Sequence, residues 1–596
     1  MWKLMKLLPT RYKWGSFLAI LFTIIQTLGF LMVPNFLSAL IQISTSRGTI
    51  AKIELFTFFT IEANLTGISL GIISLLLFAT LAALLATYIG ARVAIGGARE
   101  IRNYLWEHIG SLSQKDIDTF TNAKILTRFT IDIQQIQEGI RFLLRGAILG
   151  PINLIMGLIL AFFTNVDFSL VLVVIVPIVV GVLMWMGLAI RKPMQNEKKF
   201  SDDINVESQE GILGAKVIKS YNLEEKEKAK FQFATNNLYK ASLKSGRIFT
   251  VVFQLLEAVS NFASAAILIV IYFATKNLIV QGQEAEYAKF IKDINTFLNY
   301  IIIVMWGLII SGMAFFNIWR ARVSSKRIFE ILNKQPDIPF VQNENYIESG
   351  KITFKNVSFR YYETSEKNIL EDISFEVNPG EVLGIIGPTG SGKSTIAKLL
   401  SYDYKTHYGE VYIDDKNVKE IDSFSLKKSI SHVYQKPTIL SGTIKSNLLF
   451  ANEDATEEEI LNATKISCAY NYISKFKKTF GHEIEQQGAN LSGGQKQRLA
   501  IAQGILHNPK ILILDDSTSA LDAKTEALVK ENIKKSSKEN KMTTVIIAQK
   551  ISSIIDADKI IVLDHGKISD IGTHDELMKN NELYKEIALT QMGGES

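Results

Sequence analysis

Gly387-Pro-Thr389-Gly390-Ser391-Gly392-Lys393-Ser394-Thr395 decides the fold of the second half of this 596-residue chain. It follows the apolar run Val382–Ile386 and opens the helix-compatible stretch Ile396–Leu400. Strand, glycine-rich turn and helix in that order make a phosphate-binding P-loop. The glycines let backbone N–H groups turn inward, and the helix N-terminus adds a favourable dipole. Lys393 places a cation on the β- and γ-phosphates of a bound nucleotide, and Ser394 offers a hydroxyl to Mg²⁺.

Downstream, Ile511-Leu-Ile-Leu-Asp515-Asp516 reads as an apolar strand ending in carboxylates. In this frame it is a Walker B element, with Asp515 holding Mg²⁺ through water. Other strand-like runs are Ile352–Phe359, Glu381–Ile386, Thr544–Ile547 and Ile560–Leu563. Helical stretches alternate with several of them, which argues for an α/β domain.

Upstream the composition changes. The chain is 47% hydrophobic with a net charge of +6, and its apolar residues crowd into the first half. A nucleic-acid binder shows a concentrated basic patch; none stands out here. The single cysteine, Cys468, excludes an intramolecular disulfide and a cysteine metal cluster, and reads as a small core residue. A membrane span needs about 20 mostly apolar residues. Six stretches qualify: Ser16–Ile41, Gly67–Ala91, Ile140–Thr164, Ser169–Ile190, Phe249–Thr275 and Phe290–Ile318. The basic N-terminus (Lys3, Lys6, Arg11, Lys13) precedes a run too long for a signal-peptide core, so a retained first span is expected. Pro34 is expected to kink it. Arg92, Arg99 and Arg102 follow span two, Arg141 and Arg145 open span three, and Arg191, Lys192, Lys198 and Lys199 follow span four. The positive-inside rule then puts the long connections and both termini in the cytoplasm. Residues 101–136 and 196–246 carry apolar residues at helical spacing, so the membrane helices are expected to continue into the cytoplasm and turn near Phe120–Leu126 and Gly211–Ser220.

Gln254, Glu257 and Asn261 fall at i, i+3 and i+7 on the fifth span and share one face. An intramembrane carboxylate is costly, so it faces a cavity or a partner. The candidates are a contact to cargo or a cation, or a helix–helix hydrogen bond. Gln26 and Asn299 are weaker cases. The boundaries expected are a membrane domain over 1–319, a linker over 320–345 and a nucleotide-binding domain over 346–596.

Leu491-Ser492-Gly493-Gly494-Gln495-Lys-Gln-Arg498 resembles the ABC signature. The rest of that family's set follows in order. Tyr361 in Val357-Ser-Phe-Arg-Tyr361 resembles the aromatic that stacks on adenine. Gln435 resembles the Q-loop glutamine, which also reaches Mg²⁺. Ser519-Ala-Leu-Asp522 resembles the D-loop, and Gly572-Thr-His-Asp-Glu-Leu577 a tail common in exporters. Nearly the whole chain resembles an ABC half-exporter. The resemblance implies ATP and Mg²⁺ as cofactors and a second half as partner, because each ATP sits between the P-loop of one half and the signature of the other. It also implies a multi-pass protein of a bacterial plasma membrane, among lipid, with a small-molecule or lipid cargo. An importer is disfavoured by the fusion of the two domains; an ATP-gated channel is the competing class.

Two positions depart from the family. Asp516 stands where the catalytic Glu is usual, and Gln549, in Ile546-Ile-Ala-Gln549-Lys550, where the switch His is usual. Asp is one methylene shorter, and a misplacement of roughly 1 Å can cost on the order of 10²-fold. Gln549 can donate a hydrogen bond but cannot relay a proton, a service worth about 10²–10⁴-fold. With Lys393, Ser394, Asp515 and Gln435 in place, the expectation is a site that binds Mg·ATP and hydrolyses it slowly. This resembles the degenerate-site subunit of heterodimeric bacterial multidrug-type exporters. A homodimer with two slow sites is the alternative. A smaller departure is Glu485-Gln-Gln-Gly488, where many exporters have Gly-Glu-Arg-Gly.

Overall fold

The computed structural model describes residues 5–6, 8–46, 50–55, 59–280, 284–363 and 365–592; Lys3 of the basic N-terminus lies outside them. The chain divides into two compact units, Met1–Ile109 with Ala123–Lys334, and Gly110–Asn122 with Gln335–Ser596.

Six helices of the first unit are long and apolar enough to cross a membrane. They run over Thr10–Ser46, Leu65–Ser111, Asn122–Thr164, Val166–Leu213, Glu224–Val280 and Glu284–Leu332. The 47 residues of the second helix reach about 70 Å at 1.5 Å per residue, well past the roughly 30 Å of hydrocarbon. The expected cytoplasmic extensions are therefore continuous helix. The first helix continues through Pro34. Two π-helical turns, Arg128–Asp132 and Phe142–Gly146, interrupt the third. The last helix runs on to Leu332, through residues whose polar composition suggested a linker from Arg320. Charge alone does not end a helix; that stretch has no Pro or Gly before Leu332.

Leu31, Leu160, Phe297, Tyr300 and Ile301 are buried among these helices. Leu70, Phe78, Val173, Leu188 and Phe315 face outward, more than half exposed, a surface that suits acyl chains. A hairpin missed from sequence, Ile50–Leu55 with Phe59–Asn64, joins the first two helices. It pairs Lys52 with Glu62 and buries Ala51 and Ile53 against Ala39 and Ile68. At the far end, buried Asp132 lies 3.7 Å from Arg128 and 3.5 Å from Arg327, tying the third helix to the last.

The second unit is built on a six-stranded sheet. Its order is Lys567–Gly572, Lys559–Asp564, Val382–Ile386, Thr543–Ile547, Ile511–Asp515 and Ile430–Val433, parallel except for the first strand. A four-stranded antiparallel sheet around Ile352–Phe359 shares its core. The segment from the turn after the second helix belongs here. Ser113 caps the short helix Gln114–Phe120, Asp116 accepts from the Asp337 N–H at 2.9 Å, and the Tyr404 hydroxyl donates to Asp118 at 2.5 Å. The turn thus begins at Leu112, earlier than expected. The second break falls at Gly214, inside its expected range.

Candidate nucleotide-binding site

Four neighbouring parallel strands deliver four motifs to one edge. Val382–Ile386 and Ile511–Asp515 are almost continuous apolar runs because both faces of a parallel sheet are covered. Val382–Ile386 leads into the P-loop, Thr543–Ile547 into Gln549, Ile511–Asp515 into Asp516, and Ile430–Val433 into Gln435. Register pairs Ile547 with both Ile385 and Asp515, and Leu514 with Val433, so the carboxyl ends are level. Ligands of open α/β sheets bind at that edge.

The P-loop turn requires its glycines. A Cβ on Gly387, at φ +154°, would sit 2.0 Å from the Leu563 carbonyl oxygen. Gly392, at φ +100°, opens the helix Lys393–Leu400. Gly390 is also left-handed, Thr389 is exposed, and Ser391 and Thr395 are buried at the base. The Lys393 ammonium donates to the Gly387 and Pro388 carbonyls at 2.8 Å each. Burial lowers its pKa, against the pull of Asp515 and Asp516.

Ser394 Oγ donates to Asp515 Oδ1 at 2.9 Å. Asp515 is buried, and desolvation raises its pKa despite that bond. A hydroxyl and a buried carboxylate in contact offer oxygen donors suited to a hard cation such as Mg²⁺. The residues therefore fit the ion. Beside them, Gln435 Nε2 and Gln549 Nε2 donate to the same atom, Asp516 Oδ2, at 2.8 and 3.0 Å. Asp516 has φ +48°, a left-handed conformation that Asp tolerates better than most residues.

The Tyr361 hydroxyl lies 3.2 Å from Thr395 Oγ1, and its ring meets Tyr404 and Phe359 edge-on at 5.2 and 5.0 Å. The signature residues form a separate cluster. Ser492 caps the helix Gly493–Leu506 reciprocally with Gln495, and Gly493 and Gly494 form its first turn against Ala520. Among the described residues no hydrogen bond joins this cluster to the P-loop. Asp522 caps the next helix by accepting from the Thr525 N–H, which lowers its pKa. Sequence reasoning passed over two tethers here. Buried Gln497 binds Ser519 and the Ala520 N–H, joining signature helix to D-loop; its place inside the signature quotation was the only signal. Buried Glu526 accepts from the Thr518 hydroxyl at 3.1 Å and from that of Ser553, just past the switch. Cys468 is buried, as expected.

In the membrane unit, Gln254, Glu257 and Asn261 are all exposed on the fifth helix, and among the described residues none of them bonds a neighbouring helix. Gln26 is buried, and Asn299 donates to the Asn295 carbonyl of its own helix.

Six membrane-type helices fused to a P-loop unit of this kind define the ATP-binding half of a membrane transporter. The chain belongs to the ABC transporter family: residues 16–317 match its transmembrane region and residues 370–519 its ABC transporter domain. It is 33% identical to the uncharacterized ABC transporter ATP-binding protein YfiB of Bacillus subtilis, over 86% of this chain and 87% of that one. It is 31% identical to a putative ABC transporter ATP-binding protein of Mycoplasma pneumoniae, the MG014 homolog, over 96% of each. A bacterial Atm1-family ABC exporter solved with ATP bound has the same fold, with a TM-score of 0.77, 22% identity and coverage of 98% and 99%. The protein is thus a multi-pass ABC half-transporter.

Proposed function

We propose that this chain is one half of an ATP-driven exporter in the bacterial cytoplasmic membrane, with both termini in the cytoplasm. It moves a hydrophobic or amphipathic compound (drug, lipid or peptide) by alternating access. Its partner is a different half that supplies Glu and His where this chain has Asp516 and Gln549. The observation that carries this reading is the bonding of Asp516 by Gln549 and Gln435: the would-be base is held by two neutral amides.

At this chain's P-loop, Lys393 binds the β- and γ-phosphates, the P-loop amides surround them and Tyr361 takes the adenine. When bound through Ser394, Asp515 and Gln435, Mg²⁺ supplies charge neutralisation on the phosphates. Asp516 leaves the attacking water short of its base, so the triphosphate is retained. Ser492, Gly493 and Gly494 serve the partner's P-loop, where hydrolysis resets the cycle. The segment around Gln114–Phe120 transmits closure to the spans. Ile212 and Leu213, 76% and 78% exposed at the second break, support a second half, since apolar surface outside a bilayer seeks a protein partner. Glu257, exposed in the chain alone, is the proposed contact for cationic cargo, with Gln254 and Asn261 beside it.

Affinity purification of the chain, tagged at its own locus, tests this. A one-to-one second half carrying Glu and His at the matching positions is expected. Recovery of this chain only with itself would overturn the heterodimer and bring the ATP-gated channel forward. Glu257→Gln is expected to reduce transport of cationic amphiphiles and to spare neutral ones.

A further inference from the structure

The C-terminal helix Glu582–Met592 reaches the switch loop from outside the site. The Gln591 side chain makes two bonds to that loop. Its Nε2 donates to the Gln549 carbonyl oxygen at 2.8 Å, and its Oε1 accepts from the Ile551 N–H at 2.8 Å. One carboxamide thereby satisfies an acceptor and a donor two residues apart, just where the sheet bonding ends at Ala548. The helix is a firm base. Tyr584 and Ala588 are buried in one cluster with Ile551 and Ile554, and Tyr584 is fixed by His574 and Asn581. Gln591 itself is exposed, so it fills no core. Its two bonds are made to the backbone from which Gln549 extends to Asp516.

We propose that Gln591 is a positioning residue for the nucleotide switch: through it the C-terminal helix sets where Gln549 stands relative to Asp516. The proposal rests on the reading of Gln549 as the switch. Among the described residues neither backbone group has another hydrogen-bond partner, so loss of the carboxamide frees the loop without opening the core. The helix then becomes a handle by which anything bound at the C-terminal end alters ATP retention at this site.

The test uses the full chain in its native dimer, with Gln591→Ala, Gln591→Glu and Gln549→Ala. Two quantities are read: hydrogen exchange of the Ile551 amide, and the lifetime of ATP retained on this chain. Gln591→Ala is expected to speed Ile551 exchange and shorten ATP retention, each by about 2- to 10-fold, the worth of one net hydrogen bond. Gln591→Glu keeps the acceptor for Ile551 but has no donor for the Gln549 carbonyl. It should protect Ile551 and still shorten retention, a split that a packing role would not produce. Unchanged Ile551 exchange in Gln591→Ala, or identical behaviour of the Ala and Glu variants, overturns the proposal. If Gln549→Ala retains ATP as long as the unmodified chain, the switch reading itself fails and takes the functional half of the proposal with it. Ile551 exchange then still decides the tether.

Discussion

The Gln549 side-chain amide donates to Asp516 Oδ2 across 3.0 Å, so the two residues that depart from the family pattern are bonded to each other. A histidine and a glutamate at these places would meet as an acid–base pair. The amide and the shorter carboxylate meet as a neutral donor and a fixed acceptor. Gln435 adds a second donor to the same oxygen, which further occupies the carboxylate.

Restoring both departures should restore hydrolysis. Asp516→Glu with Gln549→His is expected to raise turnover at this chain's site by at least about 10²-fold, the combined scale of positioning and acid–base effects. Single-turnover hydrolysis with the partner's site blocked measures it. Glu at φ +48° should also lower the thermal midpoint, because a longer side chain is disfavoured there by roughly 1 kcal/mol.

Asp515 should trade stability for metal binding. Its folded pKa is raised above the ordinary carboxylate value, chiefly by desolvation. The folded state therefore binds the proton more tightly, so this group's contribution to stability falls as pH rises from the unfolded value through the folded one. Asp515→Asn removes that charge while keeping an acceptor for Ser394. It is expected to raise the thermal midpoint of the nucleotide-free protein at pH 7 and to abolish the extra stabilisation by Mg²⁺ with ATP. Thermal melts with and without Mg·ATP give both numbers.

Glu526 should matter through its hydroxyl partners. Glu526→Ala leaves the buried Thr518 and Ser553 hydroxyls without their acceptor, at a cost of about 1–3 kcal/mol. Glu526→Gln keeps an acceptor oxygen and should lose less. Denaturant unfolding of the two variants should rank them in that order.

Asp132 carries an ion-pair tie between the third and last helices. Asp132→Ala leaves Arg128, itself largely buried, with Glu330 at 4.0 Å as its remaining ion-pair partner, and a cost of about 3 kcal/mol is expected, the low end for breaking a buried pair from one side. A lower melting temperature of the detergent-solubilised dimer is expected, with ATP affinity unchanged.

The candidate nucleotide site was legible because its residues lie in short contiguous motifs, the P-loop and Asp515 each at the end of an apolar strand. Gly387–Thr395 announces its own turn, and Asp515 ends its own run. The spans were legible from length and hydropathy, but their ends were not. Polar residues such as Arg320 and Lys326 continue a helix as readily as they leave one, so the last helix outran its expected end at Ile318. The hairpin strands do alternate, as Ala51-Lys52-Ile53-Glu54-Leu55 and Phe59-Thr60-Ile61-Glu62-Ala63-Asn64, a period-2 signal that was passed over because both runs are short and sit between two long apolar spans. The tethers by Gln497, Glu526 and Gln591 escaped for a different reason. They join residues 8 to 42 positions apart through one side chain, and single polar residues on helices carry no periodic signal. Proximity made by the fold, as between Gln435 and Asp516, is visible only in three dimensions.

The central claim, a site that holds ATP without promptly cleaving it, is tested most directly by photolabelling the working dimer with ATP carrying label on the α- or the γ-phosphate. The nucleotide that remains on this chain is then identified over successive turnovers. The account predicts that both labels persist together here through several cycles while the partner turns over. Loss of the γ-label from this chain at the turnover rate of the whole dimer would contradict it.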